Sequence, residues 1–364
     1  MSTTIRAATF DDYTAICDLM RRYGLPPKAL EEWKHVWECN PVLTERAEPF
    51  TLGWALENKG KLVGFLGNIP TFCSLDGRRL LVTTANTLVI DGPYRSHSIA
   101  LLKRYLAQKE VDLFLNTTAK IASGKLWEAL GAKRLPVPSY ESVLFWVTAP
   151  RPVVRALLIS KKIPAAGALS FPLGVALRVG LLLRSTKIKK GQGVRETPSF
   201  DSRFDVFWNE LKQDSSRLLS WRDAETLNWH FKYALAAKRA HILTLEANGR
   251  ITAYAVIYRQ DKPELGLKRY HLADLQCLDH SDTERACAAL LGHSLEICRN
   301  EGVHVLEAFG FTDEKRAVLE SFAPLRRKLE GWPFYFKSRY AEIETALSKA
   351  TAWDPSVYDG DGSL

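Results

Sequence analysis

The sequence has little of what marks disulfide-rich, metal-binding or exported proteins. Its 364 residues include only six cysteines, and no two of them form a CxxC pair. Scattered thiols are typical of a reducing compartment rather than of a disulfide framework or a zinc site. We expect no metal, because no histidine pair or carboxylate cluster has ligand spacing. No signal peptide is visible, so a cytoplasmic location is predicted.

Acidic residues are absent from residues 151–190, which contain nine lysines and arginines. The net charge is +9, so this one segment accounts for the whole excess. Nucleic-acid-binding patches interleave cations with polar or aromatic side chains, whereas these cations flank aliphatic residues. The pattern therefore predicts an anionic membrane surface as a partner, on the inner membrane face, and no nucleic acid.

Charge is absent altogether from Ile163 to Leu177, a run of fifteen residues. A helix of this length, at about 1.5 Å per residue, is too short for a hydrocarbon core of about 30 Å. Extending it to Leu183 would bury Arg178, which is costly. We favour a segment that lies in the membrane interface; a buried helical linker and a true span remain as alternatives.

The first half of the chain predicts one α/β unit. Thr9 and Asp12 form a capping-box signal at a helix start, and a second helix is expected over 28–39. Asp76-Gly77 is a type I′ turn signal between two strands. The other predicted elements are strands at 50–56, 62–69, 80–90 and 111–115, helices at 96–108 and 120–130, and a strand at 140–147 that completes the unit.

An acid-free turn at Asp91-Gly92-Pro93 connects the strand Leu88–Ile90 to the helix at 96–108. Between Gly92 and Gln108 there is no acidic residue, while Arg95 is present. A turn that opens a helix directs several backbone N–H groups at one point, and the helix dipole adds positive potential there. This arrangement is suited to binding phosphate.

At these residues the chain resembles the GNAT superfamily of acyl-CoA-dependent N-acyltransferases. The family pattern, a strand followed by Val-x-Pro-x-(Tyr/Phe)-Arg-x-x-Gly-x-Gly/Ala, corresponds here to Ile90, Pro93, Tyr94, Arg95, Ser98 and Ala100. The family's second stretch corresponds to Asn116 and to 125–131, Lys-Leu-Trp-Glu-Ala-Leu-Gly. Two departures stand out. Ser98 and Ala100 replace the two glycines of the family's phosphate loop, and Trp127 takes the place of a tyrosine that acts as an acid.

The resemblance implies acetyl-CoA or another acyl-CoA as cosubstrate. A backbone N–H at Leu88 or Val89, beside Ile90, would polarise the thioester carbonyl. Arg95 and the N–H groups of the following residues would hold the diphosphate, and Asn116 would bond the pantetheine arm. The residues that supply those N–H groups are Ser96, His97, Ser98, Ile99 and Ala100.

The strand–helix pattern is repeated about 190 residues later. The segments 240–245 and 251–258, joined by Asn248-Gly249, repeat the strands of 50–69. A strand at 270–278, a helix at 283–300 and a strand at 303–309 follow. The equivalent of the phosphate turn, 279–284, contains Asp279, Asp282 and Glu284, which would repel a diphosphate. Only the first copy is therefore expected to bind acyl-CoA.

The predicted fold class is α/β (α+β), with two GNAT-like mixed-sheet domains in tandem joined by a basic apolar connector. The boundaries are 1–150 for the first domain, 151–198 for the connector, 199–350 for the second domain and 351–364 for a tail that is expected to be loose at its end. The connector includes a polar loop at 187–197.

Two residues are candidates for acid–base chemistry. Asp274 lies at the strand position of the second copy that matches Asn86 of the first, and is the candidate base. Tyr335 is the candidate acid. A hydrogen-bonded strand aspartate and a core tyrosine are the alternatives. The predicted function is N-acyl transfer to a small-molecule amine, such as an amino sugar or a lipid-linked cell-envelope precursor; the alternative is a non-catalytic scaffold or ligand-binding protein.

Overall fold

A computed structural model describes residues 3–46, 50–184, 193–213, 216–278, 282–329 and 331–364. The first part of the chain alternates strands and helices much as the sequence predicts. Its elements are β1 (Thr3–Ala7), α1 (Tyr13–Arg22), α2 (Leu30–Glu38), α3 (Pro41–Thr44), β2 (Gly53–Asn58), β3 (Lys61–Leu75), β4 (Arg78–Ile90), α4 (Ser98–Leu106), β5 (Leu113–Asn116), α5 (Ile121–Ala129) and β6 (Lys133–Arg134).

The remainder begins with a strand and a pair of helices and then repeats the pattern. Its elements are β7 (Ser142–Val147), α6 (Pro150–Ser160), α7 (Ala166–Arg184), β8 (Val194–Thr197), α8 (Ser202–Leu211), β9 (Leu219–Ser220), α9 (Ala224–Ala236), β10 (Ala240–Ala247), β11 (Arg250–Arg259), β12 (Arg269–Cys277), α10 (Thr283–Asn300), β13 (Val305–Ala308), α11 (Asp313–Ser321), β14 (Leu325–Lys328), β15 (Tyr335–Ser338) and α12 (Ala341–Ala346).

The two mixed sheets have the same internal order. The first runs β1-β2-β3-β4-β5-β15-β6, with β9 paired to β3, and the second runs β8-β10-β11-β12-β13-β7-β14. In each sheet one pair is parallel, β4 with β5 and β12 with β13, while the neighbouring pairs are antiparallel. The fold therefore contains two mixed-sheet units of the same design in tandem, joined by the basic apolar connector.

In each sheet, a strand from the other half of the chain lies between two of the sheet's own strands. β7 lies between β13 and β14 of the second sheet. β15 lies between β5 and β6 of the first. The prediction that the strand at 140–147 completes the first unit is therefore wrong, and the boundary at residue 150 divides the sequence but not the sheets.

Tight turns set the register of the hairpins, as the sequence predicts. Lys59-Gly60, Asp76-Gly77 and Asn248-Gly249 all have positive φ at both central positions, between 50° and 77°. Such turns match the twist of antiparallel strands. At the first helix, Thr9 N–H donates to the Asp12 carboxylate at 2.9 Å, which confirms the capping box.

The segment after α12 is buried rather than loose. Ser356, Val357 and Tyr358 are each less than one-twentieth exposed. Tyr358 N–H donates to the Ala273 carbonyl at 3.0 Å, and the Tyr258 hydroxyl donates to the Gly362 carbonyl at 2.7 Å. The prediction of a loose tail is therefore wrong, because these residues pack between the two sheets.

Two loop predictions concern segments that are only partly described. The polar loop expected at 187–197 ends in β8, whose four residues pair with β10. The rest of that loop up to residue 192 lies outside the described residues, as do residues 279–281 of the acidic turn in the second copy.

Candidate active site

A gap opens in the first sheet where β4 and β5 diverge. The two strands pair only through Val82–Thr84 and Leu113–Leu115. Beyond these pairs lies a cavity of about 660 Å³, lined by the end of β4, the residues after β5, the start of α5 and the loop after α1. This volume is typical of a small-molecule site.

A bulge bends β4 at the edge of this gap. The register with β3 shifts between Phe65–Val89 and Gly67–Asn86, and Thr87 has φ of 54°. A bulge changes the direction in which the backbone groups of a strand face. Leu88 and Val89, the predicted thioester-binding residues, lie immediately after it and line the cavity.

The predicted phosphate turn folds as a 3₁₀ helix over Gly92–His97, followed directly by α4. Ser98 N–H donates to the Arg95 carbonyl, and Gly92 N–H donates to the Tyr23 hydroxyl at 2.8 Å. These two N–H groups are therefore not available to a phosphate. The Arg95 side chain is exposed and lines the cavity, and no ion pair to it is found within the described residues.

The cavity brings together about half of the predicted acyl-CoA residues. Those that line it are Leu88, Val89, Ile90, Arg95, Ser98 and Asn116. Ser96 and Ile99 are exposed elsewhere on the turn and on α4. His97 and Ala100 line a separate depression beside β1, where His97 Nε2 lies 3.3 Å from Thr3 Oγ1. α4 presents Leu101, Leu102 and Tyr105 to the core instead.

Sequence reasoning missed three polar groups of the cavity. Lys120 and Ser123 line it from the start of α5, and Lys120 adds a second cation to that of Arg95. The Trp127 side chain is fully buried, and its indole N–H has no hydrogen-bond partner among the described residues.

Asp361 is the one acid among the described residues that line the cavity, and it comes from the segment after α12. Its carboxylate accepts hydrogen bonds from Thr117 Oγ1 at 2.8 Å, Thr118 Oγ1 at 2.9 Å and Asn86 Nδ2 at 2.9 Å. Burial nevertheless raises the pKa of Asp361 above its ordinary value. A carboxylate with a raised pKa at a cavity wall is a better proton acceptor than an exposed one.

The structure does not bring Asp274 to the cavity. It pairs with Val256 as Asn86 pairs with Gly67, so the predicted equivalence of position holds. Its side chain is fully buried, however, and accepts from Arg222 Nε at 2.9 Å and from the Tyr254 hydroxyl at 2.6 Å. Burial would raise the pKa of Asp274, but the Arg222 charge holds it below its ordinary value. An ionised carboxylate committed to a buried arginine is a structural group, so we assign it no catalytic role.

Tyr335 is also not among the residues that line the cavity. Its hydroxyl donates to Glu128 Oε1 at 2.9 Å and packs under Gly124, where an added Cβ would lie 2.5 Å from it. Burial and the Glu128 hydrogen bond raise the pKa of Tyr335 to about 12. Because the side chain is buried and its hydroxyl is committed to Glu128, the alternative of a core tyrosine accounts for Tyr335.

No group of three or more His, Cys, Asp or Glu side chains in the described residues could hold a metal ion. The six cysteines are free thiols in the structure.

The sequence matches no protein-family model and no curated protein. Solved structures do resemble the fold. A GCN5-related N-acetyltransferase from Anabaena variabilis aligns with TM-score 0.55 and 9% identity over 93% of this chain and 73% of its own. Saccharomyces cerevisiae N-myristoyltransferase with bound myristoyl-CoA aligns with TM-score 0.57 and 14% identity over 93% and 79%.

A conserved protein from Enterococcus faecalis, described as a probable N-acyltransferase, aligns with TM-score 0.57 and 11% identity over 93% of this chain and 73% of its own. At such identities the likeness concerns the fold. The chain therefore has the fold of the GCN5-related N-acetyltransferases, in two tandem units.

Proposed function

We propose that the protein transfers an acyl group from acyl-CoA to an amine in the cavity between β4 and β5. The observation that carries the proposal is the cavity itself, which lies where the parallel strands diverge and has two cations in its lining, Arg95 and Lys120. The myristoyl-CoA bound to the yeast structure of similar fold gives further support.

In this proposal the cations hold the diphosphate of the cosubstrate. Charge-assisted bonds from Arg95 and Lys120 replace the backbone cradle that the 3₁₀ turn partly closes. The acyl thioester lies along Leu88 and Val89, where a backbone N–H polarises its carbonyl. Asn116, which lines the cavity, is available to the pantetheine amides.

Asp361 replaces Asp274 as the proposed base. It takes a proton from the ammonium form of the acceptor, the free amine nitrogen bonds to the thioester carbon, and the C–S bond breaks to release the thiolate of CoA. The acylated nitrogen then loses its second proton, which the released thiolate takes up. An alkyl thiol has a pKa of about 8.5, so the thiolate can leave without an acid from the protein. No acid is therefore assigned.

Isothermal titration calorimetry with acetyl-CoA and with a long-chain acyl-CoA tests the binding step. Arg95→Glu should weaken binding about 10- to 100-fold, because it replaces a charge-assisted contact with repulsion. Lys109→Glu makes the same charge change at an exposed position outside the cavity lining and should bind like the wild type.

An absence of binding at millimolar acyl-CoA would contradict the proposal and favour the alternative of a non-catalytic scaffold. The replacement of both loop glycines and the partly closed phosphate turn are consistent with that alternative. Where binding is found, release of free thiol in the presence of a panel of amines tests the transfer step. Amino sugars and lipid-linked amine precursors belong in that panel as the acceptors expected from the sequence.

A further inference from the structure

The helices α6 and α7 form an antiparallel pair, the α6–α7 hairpin (residues 150–184). Their closest approach is at Gly174, where an added Cβ would lie 3.0 Å from the Cα of Arg151. Ser170 and Gly174 are the buried residues of α7, and they lie one helical turn apart. α7 is thus held through a narrow stripe of small residues on one side.

The rest of α7 is apolar and exposed. Phe171 is 62% exposed, Leu182 67% and Leu183 85%; Leu169, Leu173, Val175 and Val179 are also exposed. The helix has 19 residues and a mean hydropathy of 1.7, and 11% of it is buried, so it is long and apolar enough to cross a membrane. A helix that is apolar on nearly all sides is stable only when lipid or protein shields it from water. A continuous exposed patch of this kind therefore marks an interaction surface.

The pairing of β7 and β15 with strands from the other half of the chain excludes a single membrane crossing by α7. β7 precedes α7 and pairs with β13 and β14, which follow it. β15 follows α7 and pairs with β5 and β6, which precede it. A single crossing would place these partners on opposite sides of the bilayer. α6 has 11 residues, about 16 Å, and is too short for a return crossing.

The charges around the hairpin favour an anionic lipid surface over a second copy of the chain. Arg151, Arg155, Lys161, Lys162, Arg178 and Arg184 are the ionisable residues of the hairpin, and all are cationic. Two such surfaces would repel each other across an interface between copies. Anionic headgroups attract each lysine or arginine, while the apolar side chains enter the boundary between headgroups and acyl chains.

We propose that α7 lies in the plane of an anionic membrane and attaches the protein to it, with both mixed sheets on the same side. Phe171, Leu182 and Leu183 enter the bilayer, and Arg178 and the lysines of the α6–α7 turn contact the headgroups. This attachment is independent of the proposed acyl transfer, because none of its residues lines the cavity between β4 and β5.

Cosedimentation of the full-length protein with lipid vesicles tests the proposal. Vesicles of phosphatidylcholine alone are compared with vesicles that contain about one third phosphatidylglycerol. We expect binding to the anionic vesicles, weakened when NaCl is raised from about 0.05 M to about 0.5 M. Arg178→Gln should weaken it about five-fold, as expected for one cation near the surface. Phe171→Asp with Leu182→Asp should abolish it.

Val206→Asp is the control for introducing a carboxylate, since it places one at an exposed apolar residue of α8, away from the hairpin. It should bind vesicles like the wild type. Sedimentation velocity without lipid should show the same mass for the wild type and for the Phe171→Asp, Leu182→Asp variant. Equal binding to neutral and anionic vesicles, binding to neither, or a dimer that the double variant dissociates would each overturn the proposal.

Discussion

Two buried carboxylates show how neighbouring residues decide what an aspartate can do. Arg222 and Tyr254 hold Asp274 ionised inside the protein, and the pKa of this carboxylate falls. Asp361 has only neutral hydrogen-bond donors around it, and burial raises its pKa. The first is a fixed charge of the core, whereas the second can exchange a proton near the cavity.

Asp361→Asn should lower kcat about 100-fold or more, the usual contribution of a positioned base, with little change in acyl-CoA affinity. The carboxylate accepts a proton only when ionised, and its pKa lies above the ordinary aspartate value. Wild-type kcat/KM should therefore fall as the pH is lowered through that raised pKa, and this part of the profile should be missing in Asp361→Asn. A pH–rate profile over the acid range measures it.

The acceptor is in its ammonium form throughout the acid range for both enzymes, so the difference between the profiles belongs to Asp361. Asp18→Asn removes an exposed carboxylate of α1 and should leave the profile unchanged. An Asp361→Asn enzyme with the wild-type profile would remove Asp361 from the mechanism.

Of the residues in the cavity wall, the sequence predicts those whose contacts are with residues near them in the chain. The acid-free turn indicates Arg95, and the family resemblance indicates Leu88, Val89 and Asn116. All four line the cavity. Asp361 contacts Thr117 across 244 positions of sequence. No periodicity or spacing reports such a contact, and for the same reason the ion pair between Asp274 and Arg222 could not be foreseen.

The segment after α12 supplies the carboxylate of the cavity, Asp361, and the backbone conformation of this segment depends on Gly360. Gly360 has φ of 103°, and an added Cβ would lie 2.3 Å from Thr117 Oγ1. Glycine is thus required both by the backbone conformation and by the close approach to Thr117. That approach is what places Asp361 on its three hydrogen-bond donors.

Gly360→Ala should destabilise the protein by roughly 2–4 kcal/mol, from backbone strain and the clash with Thr117. It should also displace Asp361 and lower kcat. Thermal unfolding and steady-state kinetics measure the two effects. Gly180→Ala adds the same methyl group on α7, where nothing lies within 4 Å, and should leave kcat unchanged without lowering stability, since alanine favours a helix over glycine. A Gly360→Ala protein with wild-type stability and kcat would show that the segment can take another path.

Local signals explain which elements could be predicted. The type I′ turns and the capping box depend on adjacent residues, and α10 begins and ends where its pattern predicts, at Thr283 and Asn300. The 3₁₀ form of the phosphate turn depends on a backbone bond from Ser98 N–H to the Arg95 carbonyl, which no side-chain pattern reports. The composition of the tail does not indicate the two sheets between which it packs, so its burial cannot be predicted from the sequence.

Across the whole molecule, the exchange of β7 and β15 ties the two units together. Val143 of β7 and Phe336 of β15 are fully buried, each in the sheet built mainly by the other half of the chain. The pattern of a strand reports which side chains are buried but not which sheet supplies its neighbours. The sequence therefore predicts both units and their repeat, but not the exchange.

This exchange makes the two units one cooperative body. Without β15 the first sheet loses its link between β5 and β6, and without β7 the second loses its link between β13 and β14. Scanning calorimetry should show a single transition in which the calorimetric and van't Hoff enthalpies agree. Phe336→Ala, at a cost of about 3–5 kcal/mol, should shift that whole transition to lower temperature.

Val143→Ala is the counterpart in the second sheet and should shift the same single transition, by less because it removes fewer buried atoms. Two resolved transitions, with Phe336→Ala lowering one and Val143→Ala lowering the other, would mean that each sheet unfolds by itself. One shared transition follows if neither sheet can keep its order without the strand that it receives. The same pairing is what holds the chain before and after α7 on one side of a membrane, so a single transition also supports the topology on which the membrane attachment depends.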